Sequence, residues 1–333
     1  RGLPEVRLRV LTESDCRALL GMREAIDVQA EAFRLLAAGA AVEGLRAVAS
    51  SEQPPGVAIF NPCFLRGARG YGIKVVSDFY GNPARGLPRM SALITLFDGE
   101  TGLPRTLMEG GYLTDLRTGA GTGLAARHLA RADAKVLAVI GAGRVARNQI
   151  EALSVEFQFK QILVATRTRA RGEALVNLLQ GKAVLVEEPE SAVREADIVV
   201  AATTSKEPVV RGRWLKPGAF VAAVGAYAPD ARELDDEAIA RAACHVIDSR
   251  ADVLERAGDF VLPMRAGILA RERIAEIGEI VSGERPGRRS AEDIVVYKSS
   301  GVPIQDLVTA QHIERRALEA RIGLELDLGG DHD

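Results

Sequence analysis

The chain has 333 residues, 47% hydrophobic and 26% charged, with 43 basic against 45 acidic side chains and a formal charge of -2. That length accommodates one large or two ordinary domains with sizeable cores, and excludes a disulfide-stapled miniprotein, a fibre and a disordered tail. So even a charge balance leaves no electrostatic footprint for nucleic acid.

Residues 7–11 alternate as a strand, Thr12 or Ser14 caps a helix over 15–20, and 22–38 carries apolar residues at helical spacing up to Gly39. Strand-like runs follow at 57–60 (VAIF), 72–76 (GIKVV) and 92–97 (ALITLF), separated by Gly, Pro and Asn, with a hairpin turn over 98–104. These elements predict an α+β domain with a largely antiparallel sheet. A helix over 115–130 then leads into alternating strands and helices. The strands fall at 135–141, 161–166, 183–186, 197–203, 220–225 and 245–249, with helices from about 145 and through Leu179. Its middle strands are continuous apolar runs, as parallel strands covered on both faces are, which predicts an α/β domain with a doubly wound parallel sheet. An amphipathic helix over 305–322 and a frayed tail over 327–333 complete the chain.

Cys16, Cys63 and Cys244 are odd in number and far apart, so neither a disulfide framework nor a zinc site is expected. The most apolar stretches, such as 217–229, are shorter than the roughly 18 residues a bilayer span needs. No basic segment followed by an apolar run opens the chain, and a cytoplasmic protein with no membrane partner is expected.

Gly141, Gly143 and Ala146 form G-x-G-x-x-A directly after a predicted strand and at the start of a predicted helix. The first glycine permits a tight turn, the second lets the backbone approach a pyrophosphate, and the small third residue lets helix and strand close up. In that context the motif predicts a Rossmann-type dinucleotide site, flanked by Arg144, Val145 and Arg147. At the end of the next strand an NAD enzyme usually offers an acid to the ribose; here stand Thr166, Arg167, Thr168 and Arg169. Hydroxyls and guanidiniums without a carboxylate suit a 2′-phosphate, so NADP(H) is expected over NAD(H), with Arg167 the first candidate and Arg169 the second.

Three cations stand in suggestive places: Arg46 after a helix, Lys74 within the apolar strand GIKVV, and Arg117 in LTDLRTGAGTG. A cation flanked by strand apolars is costly to bury unpaired, and a bound anion would account for it.

The sequence resembles the ornithine cyclodeaminase/μ-crystallin family from about Leu8 to Leu318. The resemblance rests on Arg46, GIKVVSDFYGNPARGLP (72–88), LFDGETGLPRTLMEGGYLTDLRTGAGTGLAA (96–126), GAGRVARNQ (141–149), VGAYAPDARELD (224–235) and VVYKSSGVPIQDLVTA (295–310). It implies a substrate-binding and dimerisation domain over 1–119 with 303–333, a Rossmann domain over 120–302, a homodimer, and an active site between the domains. It also implies that Arg46, Lys74 and Arg117 hold the free carboxylate of a small amino or imino acid. Thr118, Gly225, Ala226, Lys298, Ser299 and Gly301 fall in the motifs assigned to the cofactor. The shared chemistry is hydride exchange between nicotinamide and the Cα of an amino acid, with no metal.

Two positions depart from the family pattern. Tyr227 stands where cyclodeaminases carry an aspartate, and a phenol is a poor base near neutrality, which favours imine (ketimine) reduction over cyclodeamination. Val145 replaces a common glutamine. The proton for an imine is expected from Lys74, Tyr227 or a water between them; Tyr227 otherwise lines the pocket or packs under its loop. Asp306 is expected to cap or pair near the last helix in a structural role. A hydroxy-acid dehydrogenase is disfavoured because His128, His245, His312 and His332 do not fit a histidine–carboxylate relay. A non-enzymatic NADPH binder, as among the crystallins, is the remaining alternative, against which the retained cations argue.

Overall fold

The structure is a computed structural model describing residues 6–67 and 69–329. In chain order the elements begin with β1 (Arg7–Leu11), α1 (Glu13–Leu19), α2 (Met22–Ala37), β2 (Ala41–Glu43), β3 (Ala47–Glu52), β4 (Pro55–Leu65), β5 (Tyr71–Phe79), β6 (Met90–Phe97), β7 (Pro104–Glu109) and α3 (Gly111–Leu129). They continue with β8 (Val136–Ile140), α4 (Arg144–Glu156), β9 (Gln161–Ala165), α5 (Arg169–Leu178), β10 (Ala183–Val186), α6 (Pro189–Glu195), β11 (Ile198–Ala201), β12 (Phe220–Ala223), α7 (Asp236–Arg241) and β13 (Cys244–Ile247). The last are α8 (Arg250–Arg256), α9 (Gly258–Arg265), β14 (Ile274–Glu276), α10 (Ile277–Val281), β15 (Val295–Lys298), α11 (Pro303–Ala320) and β16 (Leu324–Asp327). The chain forms two compact units, Arg1–Arg117 with Pro303–Asp333, and Thr118–Val302.

The first unit is built on one sheet in the order β16-β1-β7-β6-β5-β4-β2, with β3 also on β4; its pairs are antiparallel except β1 with β7. Of the two cap candidates before α1, Thr12 serves: its hydroxyl accepts from the Asp15 amide at 3.3 Å while the Asp15 carboxylate accepts from the Thr12 amide at 2.9 Å. Residue 327 is not in a frayed tail. Leu324–Asp327 pairs with β1, Arg7 opposite Asp327, and Gly323 at φ 102° makes the turn into that strand. His332 lies outside the described residues.

Period-two alternation on β5 and β6 separates the faces of this sheet. Gly72, Lys74, Ile94 and Leu96 are buried on the side where α11 packs, close enough that a Cβ on Gly72 would meet Leu307 at 3.1 Å. On the other side the Tyr71 ring stacks between Phe64 (5.4 Å) and Phe97 (4.7 Å), with the exposed Leu93 further along the same face of β6.

The second unit holds an all-parallel sheet, β10-β9-β8-β11-β12-β15-β13-β14. Ala138, Val199, Val221 and Val296 from adjacent strands are fully buried, as the continuous apolar runs require. The chain builds outward from β8 through β9 to β10 and then returns to lay β11 on the opposite edge of β8. That reversal is the position where open α/β sheets bind ligands at their carboxyl ends. β15, which the apolar-run pattern does not single out, inserts between β12 and β13.

Candidate functional site

In the first unit, Lys74, Arg117 and Asp306 converge from β5, α3 and α11, each under a tenth exposed. Asp306 Oδ2 lies 2.6 Å from Lys74 Nζ, and Arg117 Nε donates to Oδ1 at 2.9 Å. Arg117 Nη1 also donates to Gln305 Oε1 at 3.3 Å; Gln305 Nε2 donates to Gln29 Oε1 at 3.0 Å, and Gln29 Nε2 to Thr309 Oγ1 at 2.9 Å. Asn61, directly opposite Lys74 across the β4–β5 pairing, accepts from Arg46 Nε at 2.8 Å.

This corrects one expectation. Asp306 is the counter-ion that permits two cations to be buried, so their burial does not by itself require a bound anion. Asp306 does pair from the last helix, as expected, and its partners are Lys74 and Arg117. Burial pushes the Lys74 ammonium down to about 8, Arg117 and Arg46 add to the fall, and Asp306 resists it. Burial would raise the Asp306 carboxyl, but Arg117 and Lys74 outweigh it and hold the group below its ordinary value. A lysine so tuned changes protonation near neutral pH, as a proton donor must.

In the second unit, a cleft of about 430 Å³ runs along the carboxyl ends of β8, β9 and β11. Gly141, Gly143, Thr166, Arg167 and Thr168 line it, together with Arg171, Glu187, Glu188 and Thr203, which the sequence did not single out. Gly141 sits at φ 117° and a Cβ there would come within 2.5 Å of the Ala202 carbonyl, so only glycine fits. Gly143 caps α4 without a side-chain hydrogen bond and has open space where a Cβ would stand, leaving the helix start accessible. Ala146 is buried beneath it, with Arg144 exposed and Val145 half-buried. Arg169, the second phosphate candidate, is instead paired with Glu173 at 2.8 Å on α5.

The other cofactor candidates do not line this cleft. Gly225 is wedged against the backbone of Thr203, and the buried Glu233 binds both loops. Its Oε1 accepts from the Thr203 amide (2.6 Å) and hydroxyl (2.9 Å), its Oε2 from the amides of Gly225 (2.7 Å) and Ala226 (3.1 Å). Burial raises the Glu233 carboxyl, against the pull of Lys298. Lys298 is wholly buried, 3.0 Å from Asp259 Oδ2, and donates to the Ala226 carbonyl. Its ammonium is thereby committed beneath the loop. Asp259 Oδ1 accepts from the Glu233 and Leu234 amides at 2.7 and 2.9 Å.

Asp248 organises the 299–301 turn, accepting from the Ser299 hydroxyl and the Ser300 and Gly301 amides at 2.7–2.9 Å, with Gly301 at φ 74°. The Thr118 carbonyl accepts from Gln149 Nε2 at 3.4 Å. Tyr227 is 63% exposed, so it does not pack under its loop. Glu233, Asp248 and Asp259 were missed because a lone acid carries no spacing signal.

Comparison with known proteins follows the same lines. The model of the ornithine cyclodeaminase/mu-crystallin family matches residues 7–321. A Bacillus cereus Delta(1)-pyrroline-2-carboxylate reductase is 33% identical over 323 residues, covering 96% of this chain and 99% of that protein. Among solved structures, the Thermococcus litoralis Delta(1)-pyrroline-2-carboxylate reductase in complex with NADH and L-proline superposes with a TM-score of 0.87 at 36% identity, covering 95% and 99% of the two chains. An archaeal alanine dehydrogenase dimer with bound NAD gives 0.89 at 32% identity, covering 97% and 100%. The chain belongs to the ornithine cyclodeaminase/mu-crystallin family.

Proposed function

We propose that this family member is an NAD(P)H-dependent reductase of small imino acids, exchanging hydride with the carbon that becomes Cα. The observation that carries this is the buried Lys74–Asp306–Arg117 arrangement, a proton donor and a guanidinium fixed on one carboxylate. Relatives that reduce pyrroline-2-carboxylate, or that bind NADH with L-proline, support it.

Arg117 and Arg46 clamp the substrate carboxylate, which fixes the plane of the imine. Lys74 gives its proton to the imine nitrogen and recovers one from water; its lowered pKa near 8 makes that transfer easier than from an ordinary lysine. Tyr227, exposed on its loop, is the weaker candidate for the same proton.

A dinucleotide fits the second unit: the Gly141 turn excludes any side chain and the start of α4 offers amides to a pyrophosphate. When bound, reduced nicotinamide supplies the hydride. Arg167 and Arg171, with the Thr166 and Thr168 hydroxyls beside them, favour the 2′-phosphate of NADP(H), although Glu187 and Glu188 share the cleft. The apolar face of Phe64, Tyr71, Leu93 and Phe97 suits a second copy of the chain, in keeping with a homodimer. Three free thiols, Cys16, Cys63 and Cys244, suit the cytoplasm. Among the described residues no helix is long and apolar enough to cross a membrane.

The test is NADPH and NADH consumption with pyrroline-2-carboxylate, piperideine-2-carboxylate, and pyruvate, glyoxylate or oxaloacetate plus ammonium or methylamine. Turnover of an imine is expected. Silence throughout with ammonia release from ornithine or lysine would overturn the proposal in favour of a cyclodeaminase, and silence there too in favour of a binding protein.

A further inference from the structure

We propose that Asp306 is the positioning residue of this reductase, a single carboxylate that from the first turn of α11 aims the Lys74 ammonium and the Arg117 guanidinium at one substrate. The proposal rests on the reductase assignment above and names the group on which its proton donor and its carboxylate clamp both depend.

The geometry is specific. Asp306 uses each oxygen once, Oδ2 for Lys74 and Oδ1 for Arg117 Nε, so neither cation can turn without breaking its own bond to the same rigid carboxylate. The adjoining Gln305 holds Arg117 at a second point, Nη1, and is itself fixed through Gln29 and Thr309. Three elements remote in sequence thus meet on one helical turn, and the distance between donor and clamp is set by one side chain.

The charged and titratable surroundings are few. Lys74 faces Asp306 from α11, Arg117 from α3 and Arg46 from the segment before β3. Asp306 faces the same lysine and Arg117, and influences Cys63 on β4, which also feels Glu43 of β2. Burial pushes the Cys63 thiol up to about 12, so it stays neutral and leaves the balance to the ions. Of the groups acting on Lys74, Asp306 holds its proton on while Arg117 and Arg46 push it off. Removing the Asp306 charge takes away the interaction that holds the proton on, while the two guanidiniums and the desolvation remain, so the ammonium loses its proton at a lower pH.

The experiment compares pH profiles of kcat/KM for the wild type, Asp306→Asn, Asp306→Glu and Lys74→Arg with pyrroline-2-carboxylate and NADPH. A protonated donor makes the wild-type rate fall on the alkaline side, near pH 8. Asp306→Asn is expected to move that fall down by about one pH unit, a loss of roughly fivefold at pH 8 that approaches tenfold at higher pH. Asp306→Glu is expected to restore the position of the fall while raising KM, because one added methylene displaces Arg117. Lys74→Arg is expected to abolish the fall. A merely structural Asp306 would lower the melting temperature and leave the fall where it stands, which would overturn the proposal, as would a fall that survives Lys74→Arg.

If the wild type reduces no imino acid, the reductase assignment fails on its own. The positioning claim is then read from [13Cε]lysine NMR titration of wild type and Asp306→Asn, with the Lys74 signal identified by its loss in Lys74→Arg. An unchanged Lys74 midpoint in Asp306→Asn would contradict it there too.

Discussion

Replacing Gly225 by alanine tests whether the two loops at the carboxyl ends of β11 and β12 are locked together as tightly as the structure requires. The added Cβ would stand 2.1 Å from the Thr203 carbonyl oxygen, 2.2 Å from its amide nitrogen and 2.7 Å from Glu233 Oε1. Carbon contacts ordinarily settle near 3.5–4.0 Å, so the loops must separate by more than about 1 Å. The nearest obstacles are backbone and cannot rotate aside. Overpacking of this kind costs about 1–3 kcal/mol. The Glu233 carboxylate spans the same gap, accepting from Thr203 on one side and from Gly225 and Ala226 on the other. Losing one such charged bond adds about 1.5–3 kcal/mol, for a total of about 2.5–6 kcal/mol. Because Thr203 lines the cleft proposed for the dinucleotide, NADPH affinity should fall with stability. Urea unfolding followed by circular dichroism gives the first quantity and nicotinamide fluorescence titration the second. A variant within about 0.5 kcal/mol of wild type that binds NADPH normally would refute the loop-locking account.

Three other perturbations address neighbouring claims. Arg167→Asp should shift preference from NADPH towards NADH in kcat/KM, and an unaltered ratio would remove Arg167 from the 2′-phosphate site. Arg117→Ala should raise KM for any carboxylated imine by roughly ten- to a hundredfold, the loss of a charged anchor of about 1.5–3 kcal/mol; an unchanged KM would take Arg117 out of the substrate site. Lys298→Met strands the buried Asp259 charge and should destabilise the fold by about 3–5 kcal/mol, much of it recovered by adding Asp259→Leu. An unchanged midpoint in urea would show that the pair is not formed.

Local pattern made much of the fold legible. Strand-like apolar runs between Gly, Pro and Asn clusters marked β5 and β6, continuous apolar runs marked β8, β9, β11 and β12, and the G-x-G-x-x-A string stands where strand gives way to helix. Elements whose stability comes from elsewhere were hidden. β15 ends in Lys298, a residue that looks out of place in a central strand until Asp259 and the Ala226 carbonyl appear beneath it. β16 is a short exposed strand held by pairing to β1, more than 300 residues away in sequence.

The same limit applies to the sites. Lys74 stood out as a cation in an apolar strand and Arg117 within LTDLRTGAGTG, yet the carboxylate that pairs with both lies roughly 190–230 residues further on, in a helix where an acid is unremarkable. Glu233, Asp248 and Asp259 organise loops through backbone amides, and amide partners leave no trace in side-chain spacing. Arg169, ranked behind Arg167 for a phosphate, has Glu173 one turn along α5 as its partner, a pairing that spacing alone left open.

The central claim is that hydride passes to the carbon bearing the substrate carboxylate. The most direct measurement is reduction of pyrroline-2-carboxylate with NADPH carrying deuterium at each face of nicotinamide C4 in turn, with the product examined by mass spectrometry and NMR. Deuterium from one face alone, located at Cα of proline, is the predicted result. Proline formed without deuterium at Cα from either face, or no proline at all, would contradict it.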